Sequence, residues 1–509
     1  MRQQSGRLRA SHFAIRPLQS DESADFAACV SLGLSAGGDK RIWPDAGTGR
    51  NKYGTTTRPA PDEISFASTT ASNVSIPGFA AANHELKRLF DADSQSATDA
   101  ETWFDDIRQG LVQHLGREGA EVIFAASGTD VELLTLCLTA ALTRRPITNI
   151  FIAPDETGNG VPLAAGGFHF SDVTALGIPV KAGEAVEGLV PDRIRVRTIA
   201  IRRESGERRS QHEIDAELID AVQDELEADR DVLVHVLDTS KTGLRGVTRN
   251  AARYLAGLKP GRVRIVIDAC QLRSPISDLR EYLADGFFVA VTGSKFAAGP
   301  PFAGALLIPS DLAQEMRTGA NLPAGLANYS AALDWPASLR DRIALPFKSE
   351  MNIGLGLRWV AALAHIAPYA AVGEARQTLI KQRFVSLVKS RVADIPGVVL
   401  HSDDDGENLV SSAILPLTVL DANGRYLPLA EAQGLQSELR DPRYGPVCHV
   451  GQPVRVGPRS VLRVAASAYD VGCISARMNE GKSFDQALAP LIADLDSFFA
   501  KWSRLGSGA

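Results

Sequence analysis

The sequence predicts an α/β fold: a large domain built on a mostly parallel seven-stranded sheet, then a smaller α+β C-terminal domain. Three observations predict it. Seven short runs between residues 121 and 308 are nearly continuous in Val, Ile, Leu and Phe, the signature of strands covered on both faces. Helix-period stretches separate them, and strand and helix in alternation make a parallel sheet. After Met351 the rhythm changes to long helices with fewer, more widely spaced strands.

Residues 1–60 are rich in Gly, Ser, Arg and Asp and read as an irregular arm, with turn-prone runs at 37–39 and 45–49 and one short helix near 26–32. Residues 61–350 form the large domain. Its strands are expected at 121–126, 147–153, 196–201, 232–237, 263–268, 287–291 and 303–308, with helices at 131–142, 213–227 and 249–258. Residues 351–509 hold a bridging helical stretch (351–366, then 375–393), strands at 398–400, 413–420 and 461–465, and a closing helix at 484–502. No internal repeat or low-complexity tract interrupts this order.

The chain has 509 residues, enough for two or three domains, and 45% of them are hydrophobic. A net charge of −6 lacks the basic excess of a nucleic-acid binder. Cys29, Cys137, Cys270, Cys448 and Cys473 are too scattered for a disulfide framework or a zinc site, so no metal is expected and the compartment is read as reducing. The best apolar run, 359–372, is broken by His365 and Pro368 and falls short of the ~18 residues that cross a bilayer. Arg2, Arg7, Arg9 and Arg16 precede the first acid, Asp21, as in a transit peptide, but an ordinary flexible start is the simpler reading. The expectation is a soluble, cytoplasmic protein with no membrane partner.

In parallel α/β sheets chemistry gathers at the carboxyl ends of strands. After the first expected strand comes Ser127-Gly128-Thr129-Asp130, directly before a helix. Such a turn offers free N–H groups and a positive helix end to a phosphate; it also reads as a plain N-cap. The strand at 263–268 carries Asp268 into a buried position, where a carboxylate wants a cation, with Gln271 three residues on; a loop-capping Asp is the alternative. The strand at 287–291 is followed by Thr292-Gly293-Ser294-Lys295, then Gly299-Pro300-Pro301 and a new strand. A Lys there is disfavoured unless neutralised or used covalently. Lying 27 residues after Asp268, Lys295 suits an imine to a pyridoxal ring, a cofactor needing an amine, an acid for its ring nitrogen and an anion cradle. Lys241, in Asp238-Thr239-Ser240-Lys241, is the rival amine.

With these residues in place the chain resembles the fold-type I pyridoxal-5′-phosphate (PLP) enzymes, within them the class V aminotransferase and cysteine desulfurase group. Asp268-Ala-Cys-Gln271 is similar to that group's Asp-x-x-Gln, and Thr292-Gly-Ser294-Lys295 to its Ser-x-His-Lys. The resemblance implies that Lys295 holds PLP as an aldimine and serves as base at Cα. It implies that Asp268 keeps the ring protonated, that Gln271 bonds the ring oxygen, and that Ser127, Gly128, Thr129, Thr292 and Ser294 cradle the phosphate. Arg463, in Leu462-Arg463-Val464, looks like the family arginine for a substrate α-carboxylate. Arg443-Tyr-Gly445-Pro-Val-Cys448 resembles the Arg-x-Gly-x-x-Cys loop whose Cys takes sulfur as a persulfide, although a lone loop cysteine is also commonly inert. The family also places a His over the ring in a Glu-His context; here no His follows Glu156, and His169 is 13 residues on. Either His169 folds back or another group covers the ring.

The function implied is a PLP-dependent lyase or transferase acting on an α-amino acid through aldimine and quinonoid intermediates, of desulfurase or C–S lyase type if Cys448 is a nucleophile and a class V aminotransferase if it is not. A PLP-free interaction protein on the same fold is the third reading. A homodimer is expected from the family. Arg202-Arg203 and Arg208-Arg209 read as a solvated turn, or less simply as an anion site, and His235 as a satisfied core histidine. The polar stretches 49–54, 66–72 and 238–240 are candidate pocket linings.

Overall fold

The computed structural model describes residues 22–91, 97–152, 156–158, 160–318, 321–401, 407–421 and 423–506. The Arg-rich start up to residue 21 lies outside the described residues, as does Ala153 at the end of one expected strand.

Two sheets organise the chain. One strand, β1 (Ile64–Phe66), precedes the large sheet in sequence. The large sheet comprises β2 (Glu121–Ala125), β3 (Ile147–Ile152), β4 (Ile194–Ile199), β5 (Asp231–Leu237), β6 (Val263–Ala269), β7 (Phe288–Thr292) and β8 (Gly304–Ile308). Its order is β2-β8-β7-β6-β5-β3-β4. Only β8 runs antiparallel, against β2 and β7; the others are parallel. All seven expected strands are present, shifted by one or two residues at their ends. Strands β3, β5, β7 and β8 are buried at every position, because helices cover both faces of the sheet's centre. Mean apolar runs in the sequence follow from that.

The second sheet has the order β1-β11-β12-β10-β9, with β9 (Val398–Leu400), β10 (Ile414–Val419), β11 (Cys448–Val456) and β12 (Arg459–Ala465). Strand β1 pairs parallel with β11, in the register Phe66↔Val450, so the stretch after it, Thr69 and Thr70, is carried to the mouth of the large sheet. The helices Ile353–Ala371 and Glu374–Ala393 bridge the two sheets. The first is buried along most of its length, with Leu357 and Trp359 fully enclosed. Among the described residues no single helix is long and apolar enough to cross a membrane.

The arm is more ordered than its composition suggests. Glu22–Ser35 is a helix, and Gly354 on the bridging helix meets it so closely that a Cβ would stand 2.3 Å from Ala36 O and 2.6 Å from Gly33 O. Buried Arg358 fastens the same arm by donating to Leu34 O, Ala36 O and Gly37 O, and to Phe302 O of the large domain.

Candidate active site

At the carboxyl edge of the parallel strands lies a cavity of about 350 Å³. Parallel pairing brings Leu237 opposite Asp268 and Asp268 opposite Ala290, so the turns that follow β5, β6 and β7 converge there. Ser127, Gly128, Thr129, Asp268, Gln271, Thr292, Ser294, Lys295 and Arg463 all line it. Nine of the ten candidate residues are therefore brought together from separate parts of the sequence.

Ser127 begins the helix Gly128–Ala141 as its N-cap: its Oγ accepts from Asp130 N and donates to the Asp130 carboxylate. The N-cap and the cavity-lining reading both hold for this residue. Burial pushes Asp130 up to about 6. Gly128 is required by contact, since a Cβ would stand 3.0 Å from Cys270 Sγ, which presses this turn against the one after β6. The Thr292 hydroxyl donates to Cys270 O at 2.7 Å, whereas no hydrogen bond engages the Thr129 or Ser294 hydroxyl among the described residues. Asp268 Oδ1 accepts from Cys270 N at 3.0 Å. Burial, then the Asp268 charge, pushes the Cys270 thiol up.

The turn bearing Lys295 is braced from both sides. Gly293 and Gly299 approach the bridging helix so closely that a Cβ on either would meet Ala362 Cβ, at 2.6 and 2.7 Å. Ala298 and Phe302, just beyond, and Leu272, just after Gln271, adopt left-handed backbone with φ of 56°, 72° and 54°. Non-glycine residues held this way are costly and gather at functional sites. No hydrogen bond or ion pair engages Lys295 Nζ among the described residues.

The C-terminal sheet supplies the opposite wall. A bulge in β11 between Gly451 and Val454 pushes Gln452, Pro453 and Val454 into the lining. Arg463 on β12 is 2% exposed; it donates to Thr70 Oγ1 at 3.2 Å, to Lys241 O at 3.4 Å and to Gln452 O. Burial pushes it down to about 10, opposed by the Glu156 charge. Its Nε has no partner among the described residues.

Cys448 is the exception, and the expectation of a catalytic thiol on a loop is corrected. It opens β11, paired with Ile64, is fully buried and is absent from the lining. Its Sγ faces Pro446 O at 3.3 Å, and Lys501 Nζ anchors the same turn through Leu439 O, Asp441 O and Pro446 O, each at 2.8 Å. Burial pushes the thiol up to about 11. His169 does not fold back either: its Nδ1 meets Tyr329 OH at 2.6 Å, the two rings stack, and it is not in the lining. Glu156, Thr157 and Gly158 occupy that part of the wall.

His235, read as a core histidine, and Glu132 line the cavity's inner end, joined Nδ1 to Oε2 at 2.8 Å. Arg202, read as part of a solvated turn, stands behind the lining, paired with Glu156 at 2.7 Å, and Thr242 bonds the same carboxylate. Of the candidate pocket linings, 49–54 contributes Lys52 and Tyr53 and 66–72 contributes Thr69 and Thr70, and Arg41 of the arm joins them. Asp238 instead turns away, accepting from Ser274 at 2.7–2.8 Å and from Tyr282 at 3.3 Å. Interior positions of a strand or helix give no sequence signal that separates His235 and Glu132 from core.

The donor set fits PLP. Gln271 Oε1, Arg463 Nε, Thr69 Oγ1, Thr157 Oγ1 and His235 Nε2 are buried without partners among the described residues, and each belongs to a lining residue. An unpaired buried polar atom costs ~1–3 kcal/mol, so the cavity is shaped for a polar ligand. The first-turn N–H groups of Gly128–Ala141 with the Thr129 and Ser294 hydroxyls suit a phosphate, and Asp268 suits a cationic ring nitrogen.

Comparison with solved structures accords with this arrangement. The chain is similar to the cysteine desulfurase CsdA (S-sulfonic acid) from Escherichia coli, at 13% identity over 87% of this chain and 94% of that one, with a TM-score of 0.53. It is similar to a cysteine desulfurase from Thermococcus onnurineus NA1, at 13% identity, 88% and 96% coverage and a TM-score of 0.52. A third likeness is to a C-DES mutant with glycine covalently linked to its PLP cofactor, at 14% identity, 86% and 96% coverage and a TM-score of 0.54. The chain shares its fold with these structures, a mixed α/β architecture on a mostly parallel seven-stranded sheet. No family model matches the chain, and no curated protein matches it.

Proposed function

We propose that this cavity binds PLP and the α-carboxylate of an amino acid, making the chain a PLP-dependent lyase or transferase. One observation carries the reading: an unengaged amine, an acid, an anion-binding helix start and a buried arginine converge in one cavity from four parts of the sequence. Bound PLP supplies an electron sink for the bond broken at the substrate Cα. Lys295 would hold the cofactor through its aldehyde and would serve as the base for the Cα proton. Asp268 would favour a cationic ring nitrogen, and Gln271 Oε1 would accept a hydrogen bond from the ring hydroxyl. Arg463 Nε and Thr69 Oγ1, which both border Gly451, donate to the substrate carboxylate.

The withdrawn position of Cys448 favours reactions that need no acceptor thiol from the chain. β-Elimination and transamination remain, and their products separate them. Elimination turns over and releases ammonia; transamination without an amino acceptor stops at one keto acid per site.

Borohydride reduction of the coloured protein followed by peptide mapping tests the reading. The expected label is on Lys295, lost in Lys295→Ala and kept in Lys241→Ala. A label on Lys241, or a preparation that stays colourless with added PLP, overturns it.

A further inference from the structure

Beneath the proposed cofactor site the cavity continues into the fold. Side chains alternate across a strand, so His235 and Leu237 on β5, Val266 and Asp268 on β6, and Ala290 and Thr292 on β7 share one face, and all six line the cavity. Val131, Glu132 and Thr135 of the helix Gly128–Ala141 close this inner end. Two ionisable residues sit there with no role in the chemistry above. Glu132 is 6% exposed and His235 7%. Glu132 Oε2 stands 2.8 Å from His235 Nδ1, and its Oε1 accepts from Asn149 Nδ2 at 3.0 Å. Asn149 also donates to Ala165 O at 3.2 Å.

The carboxylate fixes the imidazole. With its Nδ1 proton donated to Glu132, a neutral His235 presents the Nε2 lone pair, and Nε2 is buried with no partner among the described residues. Leu237 pairs with Asp268, and His235 lies two residues earlier on β5. A strand spacing of ~4.8 Å and a rise of ~3.3 Å per residue put the His235 and Asp268 Cα atoms ~8 Å apart. That leaves room for a water between the two side chains in a cavity they both line. A buried water needs two or more polar partners, and these two groups supply them.

We propose that Glu132 and His235 form a positioning pair for Asp268, coupled to it through a water at the inner end of the cavity. The water donates one proton to His235 Nε2 and the other to the Asp268 carboxylate. Asp268 is thereby oriented within the cavity while remaining free of any ion pair among the described residues. The role of Asp268 toward a ring nitrogen rests on the proposed function; the coupling between His235 and Asp268 belongs to the chain itself. The other charged or titratable groups lining the cavity are Glu156 after β3, Lys241 after β5, Cys270 after β6, Lys295 after β7, Arg463 on β12, and Arg41, Lys52 and Tyr53 of the arm.

The test follows the His235 imidazole by NMR in cofactor-free protein, assigned by its absence in His235→Gln. In Asp268→Asn the His235 Nε2 resonance moves from its wild-type position at a fixed pH, because the water whose proton it accepts loses its second anchor. In Glu132→Gln the Nδ1 resonance moves as well. A His235 spectrum unchanged by Asp268→Asn overturns the proposal. Should Asp268→Asn fail to fold, the reverse measurement decides: the Asp268 carboxyl carbon resonance moves in His235→Gln at the same pH, and an unchanged resonance overturns the coupling. Borohydride labelling of the wild type is read separately. Coupling without a label on Lys295 defeats the proposed function alone, and a label without coupling defeats this inference alone.

Discussion

A thiol becomes a nucleophile when it is exposed and its thiolate is stabilised, and Cys448 meets neither condition. Its side chain is enclosed at the start of β11, and the nearby Lys501 charge only partly offsets burial, leaving the thiol at about 11. At pH 7 only about one molecule in ten thousand carries the thiolate. Cys448→Ala should therefore leave turnover on an amino acid unchanged and lower stability by ~1–2 kcal/mol through the small cavity it opens, measured by steady-state assay and urea unfolding. A thiol reagent added to native protein should modify Cys29, the exposed cysteine, well before Cys448. Loss of turnover in a folded Cys448→Ala protein would return the thiol to the mechanism.

The elements that position the site depend on close backbone approach as much as on apolar burial. Gly354 lets the bridging helix lie against the arm helix Glu22–Ser35, with less than 3 Å between a notional Cβ and two carbonyl oxygens. Gly354→Ala forces these helices apart and should cost ~1–3 kcal/mol, the usual scale of overpacking. Melting temperature should fall, and limited proteolysis should cut earlier within residues 22–58, while a variant that melts like the wild type would show the contact to be yielding. What was readable in the sequence followed the same physical division. Strands β2 to β8 were legible because burial on both faces makes them continuously apolar, and Asp268, Lys295 and Ser127 were legible because each stands at the carboxyl end of such a strand or just past it. Strand β11 was not: Gly451 and Pro453 sit at its bulge and break the strand pattern, so the loop position of Cys448 rested on the resemblance alone. Glu132 and His235 lie inside regular elements, where a polar residue facing a cavity and one satisfied in a core have the same sequence pattern. Arg202 read as solvated because its partner, Glu156, is 46 residues away.

Across the whole molecule, the joint between the two sheets is closed by two buried cations without carboxylate partners among the described residues. Arg273 donates to Ser412 O and Ala466 O and to Ser68 Oγ, and Lys381 donates to Arg273 O and Ser411 O. The Phe296 ring, next to Lys295, has Arg273 4.7 Å and Lys381 5.2 Å from its centroid. Burial, then the Arg273 charge, pushes Lys381 down from 10.5 to about 7. The unfolded chain keeps this proton up to about 10.5 while the folded protein gives it up near 7, so between these values the unfolded state binds more protons and stability rises with pH. Below pH 7 both states are protonated and the penalty is present in full. Lys381→Met removes the titration but leaves two carbonyls without a donor, so its baseline stability is not the informative quantity. The slope is: in urea unfolding between pH 7.5 and 9.5, inside the two limits, wild-type stability should climb relative to Lys381→Met by up to ~1.4 kcal/mol per pH unit. Parallel slopes would mean that Lys381 stays charged in the folded protein, with the ring faces of Phe296 and Tyr369 and the two carbonyls sufficient to hold the cation at the joint.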